Sequence, residues 1–526
     1  MARLKAPRRW SPIVWVIIFS AGLNVTAVWW GLPNDVSWAP DEVSPSRVFD
    51  GLTRLFSHGW SDKYPPVHFY ALSIVLLPFL GLDHWKVVDF SQPRAAAAIV
   101  IAFRFLTVLM AAGLIYLIYL CGRELIGKRG ALWAAIITAL LTPFPYYAKT
   151  ANLDVPYLFW FVWSLYFFIR LFKTRRTRYY LLFALTGVLS IATKDQAAGL
   201  FMLAPLAVLW ADWTGIKSSA SGGAIWRRLP YLIYVKAAGV ACAAFLLGFN
   251  VIFNARGFVD HAKVIFGPAS ETYQVLPKTV AGYGRLLVLT IYNIRFCLGW
   301  PFFLVCLAGL VLAIVRKPRP RALLSLISFA VAYLIFFIGL SRITFDRYVL
   351  PVAIILALFG GLAIDEALKS RFRAAAYVVV AAATAYALLT VAAVDVFMLK
   401  DSRYDVERWM RAHLEPGATV GAATPWEYLP RFTGFRVNML DLSIAAFERE
   451  PKPEVVVFAD KYRLNQAEGS PEREFFARFA EVPPGYRLVL KQQTRLAWSP
   501  LRFSENMSNL ETINPEIRVY QRKQYP

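Results

Sequence analysis

The sequence predicts a polytopic α-helical membrane protein of about eleven spans, with an extracytoplasmic α/β domain at its C-terminal end. Three observations carry that expectation. Hydrophobic residues make up 58% of the 526 residues and charged residues only 17%, whereas soluble domains carry about 25% charged residues. Apolar runs of spanning length recur over residues 1–397 and stop there. The net charge of +23 is also unevenly placed: residues 1–397 hold 38 basic and 17 acidic residues, and residues 398–526 hold 19 and 17. A basic excess beside apolar runs is what the positive-inside rule produces, so nucleic acid is not an expected partner.

The elements follow in order. Residues 1–9 include Arg3, Lys5, Arg8 and Arg9 ahead of a first span at about 12–31. No small-residue cleavage site follows, which predicts an uncleaved anchor with a cytoplasmic N-terminus. Further apolar runs lie near 66–80, 95–120, 131–148, 153–172, 179–193, 196–212, 231–254, 286–315, 322–341, 347–364 and 374–397. The run at 66–80 is short, begins at Pro65-Pro66 and ends at Pro78. Five basic clusters set the parity: Arg123/Lys128/Arg129, Arg170 to Arg178, Lys217/Arg227/Arg228, Arg316 to Arg321 and Lys369 to Arg373. All face the cytoplasm if 66–80 lies in the interface or re-enters, whereas a crossing there would turn the first cluster outward. The expected domains are therefore a membrane module, 1–397, and an external domain, 398–526. The module has a first external loop at 32–94 and a second long one at 255–285.

The external domain reads as α/β. A helix is expected over Asp401–Leu414, ended by Pro416-Gly417, and strands at Thr419–Ala423, Val455–Ala459 and Arg487–Leu490. Cys242, Cys297 and Cys306 lie within apolar runs and Cys121 ends one, so no disulfide framework is implied.

That parity gathers chemistry-bearing residues on the outer face. The first loop holds Asp41-Glu42, and a carboxylate near a low-dielectric interface can serve as a general base. The same loop holds Asp62-Lys63-Tyr64-Pro65-Pro66, a rigid stretch with a cation and a tyrosine suited to a phosphate. Arg104, Lys149, Asp154, Lys194, Asp195 and Arg347 stand at the outer ends of spans, where charges are costly and tend to be functional. The loop 255–285 adds Arg256, Asp260, His261, Lys263 and Glu271. The ordinary readings are a solvated acid, interfacial aromatics and snorkelling cations. The five histidines show no metal-ligand spacing, and there is no glycine-rich phosphate loop or nucleophile elbow.

Taken in order, these pieces resemble the GT-C class of bacterial glycosyltransferases that use polyprenyl-phosphate sugars, whose relatives include protein O-mannosyltransferases, the lipid A aminoarabinose transferase and lipopolysaccharide-core galacturonosyltransferases. Asp41-Glu42 is similar to the acidic motif of their first external loop, and Tyr64-Pro65-Pro66-Val67-His68-Phe69-Tyr70 to their Pro-Pro motif. Arg104-Phe105-Leu106 with Gly122 to Gly127 resembles their second span. Tyr146 to Asp154 resembles the second acidic loop, and Thr193-Lys194-Asp195 and Arg347 to Pro351 resemble later landmarks. Val67 and Lys149 depart from the usual leucine and arginine.

The resemblance implies a GT-C fold in the cytoplasmic membrane, and an inverting transfer from a polyprenyl-phosphate-linked sugar to a glycan, lipid or protein acceptor. Asp41 would be the base, Glu42 its support, and Asp154 would orient the acceptor or a cation. Lys63, Lys194, Arg256 and Arg347 would hold the donor phosphate, with Tyr64, Arg104, Lys149 and His261 in support. Some relatives use a divalent cation and others none, so a divalent cation is the one cofactor left open. A lipid or polysaccharide transporter and a non-catalytic assembly subunit are the alternative readings. The transporter reading does not account for first-loop acids followed by a Pro-Pro run.

Overall fold

The computed structural model describes residues 11–33, 37–54, 56, 64–219, 229–267, 276–423, 426–441, 443–444, 447, 453–459, 471–480, 482–483, 485–501 and 509–523. Lys63, Asp62, Glu271, Arg227 and Arg228 lie outside the described residues. The chain forms two compact units. One comprises residues 1–28, 43–391 and 504–508, and the other residues 29–42, 392–503 and 509–526.

The first unit is the multi-pass helical part. Among the described residues nine helices are long and apolar enough to cross a membrane, and Pro12–Val25 and Thr177–Ile191 are shorter apolar helices. Two differences from the sequence expectation have physical causes. The runs at 95–120 and 131–148 belong to one helical element, Pro93–Ala139, interrupted at Gly127. Gly127 takes φ +81°, a backbone that glycine adopts without steric cost, and there the chain doubles back. Gly122 then faces Ala131 so closely that a Cβ on Gly122 would stand 2.6 Å from the Ala131 Cα. Second, the short run at 66–80 is part of the 18-residue helix Val67–His84, with Pro78 inside it, which meets the length and composition of a span. The long helix Val280–Val315 is likewise interrupted at Gly299.

Ion pairs draw most of the basic clusters together. Glu124 takes Arg170 at 2.9 Å and Lys173 at 3.0 Å. The buried Asp365 pairs with Lys369 and, at 3.9 Å, with Arg129, while Glu366 takes Arg316 at 3.1 Å. Arg175 reaches Asp212 at 3.7 Å. Clusters far apart in sequence thus meet at shared carboxylates. Between that end and the other, Phe329 packs edge to face with Phe168, Phe183 and Phe201, and Phe161 does so with Phe201, a geometry that aromatic rings favour.

The second unit is a mixed five-stranded sheet of β1 (Thr419–Ala422), β2 (Arg436–Met439), β3 (Val455–Ala459), β4 (Tyr486–Gln492) and β5 (Ile517–Arg522). The order is β2-β1-β3-β5-β4. β1 pairs parallel with β2 and β3, and β5 pairs antiparallel with β3 and β4. The side-chain period of two sorts the faces. Val455 and Val457 meet Val406 and Met410 of the helix Ser402–His413, while Val456 and Phe458 meet Phe475 and Phe476 of the helix Pro471–Ala480. With both faces covered, β3 is buried at every position. The expected helix and three strands are present, and β2 and β5 are additional. The division differs from the linear one expected at 397/398, because residues 29–42 of the first loop pack with the sheet unit.

Candidate active site

Two chain reversals in the helical unit bring Asp154 and Lys194 together. In the first, Thr150 donates its hydroxyl to the Tyr146 carbonyl (3.0 Å), Asn152 donates to Thr150 (3.1 Å), and the Asp154 amide donates to the Asn152 side chain (3.0 Å). Such local side-chain bonds favour turns over helix. They deliver Asp154 to the first turn of the helix Asp154–Thr174, where the helix dipole favours a negative charge. In the second reversal, Lys194 stands extended between Ile191 and the turn Asp195–Ala197. The two helices are tied where Ser190 donates to the Tyr157 carbonyl at 2.9 Å.

The result is a buried ion pair. Lys194 Nζ lies 2.7 Å from Asp154 Oδ1, with the two side chains 6% and 1% exposed. Lys194 also stands over the rings of Tyr64 and Tyr157, at 5.7 and 5.9 Å from their centroids. A cation facing aromatic quadrupoles is stabilised most where water is excluded. Among the described residues Asp154 Oδ2, also buried, has no hydrogen-bond partner. The Pro-Pro stretch is fastened nearby, with the Val67 amide donating to the Ala192 carbonyl at 3.1 Å.

The turn before the helix Leu350–Lys369 forms a second group. Asp346 is fully buried and accepts from the Arg347 amide (2.6 Å) and from the Tyr147 hydroxyl (3.3 Å). Arg347 is half-buried, with its guanidinium over Phe345 and Tyr348 at 5.7 and 5.3 Å. Tyr157 and Tyr333 are both fully buried. Sequence reading did not single out either of them, although Tyr157 lies one helical turn beyond Asp154, a spacing that puts two side chains on one face.

Other expected residues have different surroundings. Lys149 donates to the Leu23 and Thr26 carbonyls, both at 2.8 Å, and Arg104 donates to the Val28 carbonyl at 2.7 Å. Lys149 thereby caps the end of the helix Pro12–Val25, where carbonyls lack partners, and Arg104 meets the chain just beyond it. His261 Nε2 lies 3.0 Å from both Asp195 oxygens. Arg256 is exposed at the start of the helix Ala255–Phe266. Asp41 and Glu42 belong to the sheet unit, where Asp41 takes φ +61° and Glu42 is buried and accepts from the Ser37 hydroxyl. No group of three His, Cys, Asp or Glu side chains gathers as a metal site among the described residues.

Residues 97–246 match the family model described as dolichyl-phosphate-mannose-protein mannosyltransferase. That stretch includes Arg104, the turn carrying Asp154, and Lys194. The match covers well under half of the chain and is what that stretch is similar to. No curated protein matches. Among solved structures the chain is similar to ArnT from Cupriavidus metallidurans bound to undecaprenyl phosphate, at 13% identity over 96% of this chain and 97% of that one, TM-score 0.49. It is also similar to the Archaeoglobus fulgidus oligosaccharyltransferase tethered with an acceptor peptide, at 13% identity over 97% and 88%, TM-score 0.47. A second structure of that enzyme, complexed with zinc and sulfate, is 16% identical over 90% of this chain and 70% of that one, TM-score 0.46. At these identities and scores nothing about activity passes from those proteins to this one.

Proposed function

We infer that the protein is an inverting membrane glycosyltransferase that moves a sugar from a polyprenyl-phosphate donor to an acceptor hydroxyl at the outer face of the cytoplasmic membrane. The observation that carries this reading is the water-excluded Lys194–Asp154 pair under Tyr64 and Tyr157. A cation that costly to bury has a use, and an unfilled acceptor atom beside it, Asp154 Oδ2, suits a ligand hydroxyl.

In the reaction the acceptor oxygen bonds to the sugar C1. The C1–O bond to the phosphate breaks, and its electron pair leaves on the lipid phosphate. Asp41 takes the acceptor proton, with Glu42 supporting it, and Asp154 orients the acceptor. Negative charge grows on the departing phosphate, so Lys194 and Arg347 stabilise the transition state more than the ground state. Arg256, at the start of its helix, and Lys63 complete that set. The shared carboxylates that gather the basic clusters support a single cytoplasmic face for them. The test is release of polyprenyl phosphate by the purified protein in detergent. Asp41→Asn should cost at least about 10²-fold in turnover with donor affinity little changed. An Asp41→Asn protein at near-full activity would remove Asp41 as the base. Mass spectrometry of copurifying lipids would name the donor.

A further inference from the structure

The segment that carries Asp41 is built into the sheet unit by one aromatic–guanidinium cluster. Trp30 is fully buried and donates its indole N–H to Asp401 Oδ2 at 3.0 Å. The Gly31 amide donates to the Tyr404 hydroxyl at 3.0 Å. Gly31 takes φ +76°, and a Cβ there would stand 3.0 Å from the Trp38 ring, so the chain folds back tightly on that indole. Trp38 is 1% exposed and lies under two cations. The Arg403 guanidinium is 3.9 Å from its centroid and that of Arg431 is 5.5 Å away. Each guanidinium is fixed from behind. Arg403 pairs with Asp401 at 2.6 Å and donates to the Thr512 carbonyl at 2.8 Å. Arg431 forms a two-pronged pair with Glu407, at 2.8 and 2.6 Å, and donates to the Leu32 carbonyl at 2.7 Å.

From Trp38 the chain turns at once. The Ala39 amide donates to Ser37 Oγ (3.0 Å), the Glu42 amide donates to the Ala39 carbonyl (3.3 Å), and the Ser37 hydroxyl donates to the Glu42 carboxylate. Inside this turn Asp41 adopts the left-handed backbone. Aspartate tolerates that conformation better than most residues other than glycine.

We propose that Trp38, Arg431 and Arg403 are positioning residues for glycosyl transfer: the indole held beneath two guanidiniums fixes the turn 37–42 and so the carboxylate of Asp41. This rests on the reading of Asp41 as the base. Misplacing a reacting group by about 1 Å can cost about 10²-fold in rate, so modest changes in the cluster should register in turnover.

The experiment uses the full chain in detergent with Trp38→Phe and Arg431→Lys, each alone and combined with Asp41→Asn. Arg431→Lys keeps the charge but loses the planar fork, and it carries the test if Trp38→Phe does not yield folded protein. Each single variant should lower kcat by about tenfold or more with donor KM within about twofold, measured well below the variant's own melting temperature. In the Asp41→Asn background the same substitution should cost less than about twofold further, because residues that act as a unit are non-additive. Losses that multiply in that background, or a fall in thermal stability with kcat intact, overturn the proposal and leave Asp41 as the base. Full activity of Asp41→Asn alone overturns the base and, with it, this proposal.

Discussion

Lys194→Met is the most informative single change in the helical unit. The lysine is 6% exposed and its ammonium lies 2.7 Å from a carboxylate that is 1% exposed. Removing one partner of such a pair leaves an uncompensated buried charge, at a cost of about 3–5 kcal/mol. If Lys194 also stabilises the leaving phosphate, its loss costs a further 2–4 kcal/mol, roughly, in the transition state, which is about 30-fold to 1000-fold in turnover. The two effects separate in a charge-neutral pair. Lys194→Met combined with Asp154→Asn removes both charges, and a buried ion pair replaced by neutral groups is often no less stable. The single variant is expected to elute poorly and melt early. The double variant should regain monodisperse elution and thermal stability yet stay at least about 30-fold down in polyprenyl-phosphate release. Arg347→Ala, half-buried and outside the pair, should lose activity in the same range without the stability penalty. A double variant within about threefold of the parent, under half of a 1.4 kcal/mol decade, would show that the pair only holds the fold.

Three further outcomes are expected. In a background without the native cysteines, Lys128→Cys should escape an impermeant reagent in intact cells and Glu415→Cys should react; labelling at 128 refutes the cytoplasmic basic face. Gly122→Ala puts a methyl 2.6 Å from the Ala131 backbone and should cost about 1–3 kcal/mol, read as a lower melting temperature; an unchanged value refutes the tight reversal. Burial acts to raise the carboxyl of Glu516, but hydrogen bonds from Arg518 and Lys491 outweigh it and hold the group below the usual range. Its stabilising effect is therefore full above the unfolded value of about 4.3 and lost as pH falls through the lower folded one. Glu516→Gln should flatten the acid limb of a stability profile, and an unaltered limb counts against this ion pair as a source of acid sensitivity.

The membrane class was legible because burial in lipid requires long apolar runs, and the central strand Val455–Ala459 because burial on both faces requires five apolar residues in succession. β2, at the sheet edge with no fully buried position, carried no such pattern. Asp154 and Lys194 were both legible as charges at the ends of spans, but their pairing was not, since it depends on how two reversals dock. Lys149 and Arg104 illustrate the limit of that rule. Lys149 is buried at the end of a short helix and Arg104 inside a long one, and each meets carbonyls at or just beyond the end of the first helix, where peptide oxygens supply the charge complement. Nothing in the period or composition of residues 29–42 shows that two tryptophans there belong with Asp401 and Arg403.

That last arrangement has a consequence for biosynthesis. Trp30 and Asp401 are 371 residues apart in sequence, and at roughly 5–20 residues per second a ribosome needs about 20 to 75 s to cover that interval. Throughout it the indoles of Trp30 and Trp38 have been made and their guanidinium partners have not. The sheet then closes late, since β5 lies between β3 and β4 and is synthesised after both. A chain halted anywhere before residue 517 leaves β3 and β4 without the strand that joins them. Synthesis through β5 is thereby the condition for completing the sheet unit into which that early-made segment packs.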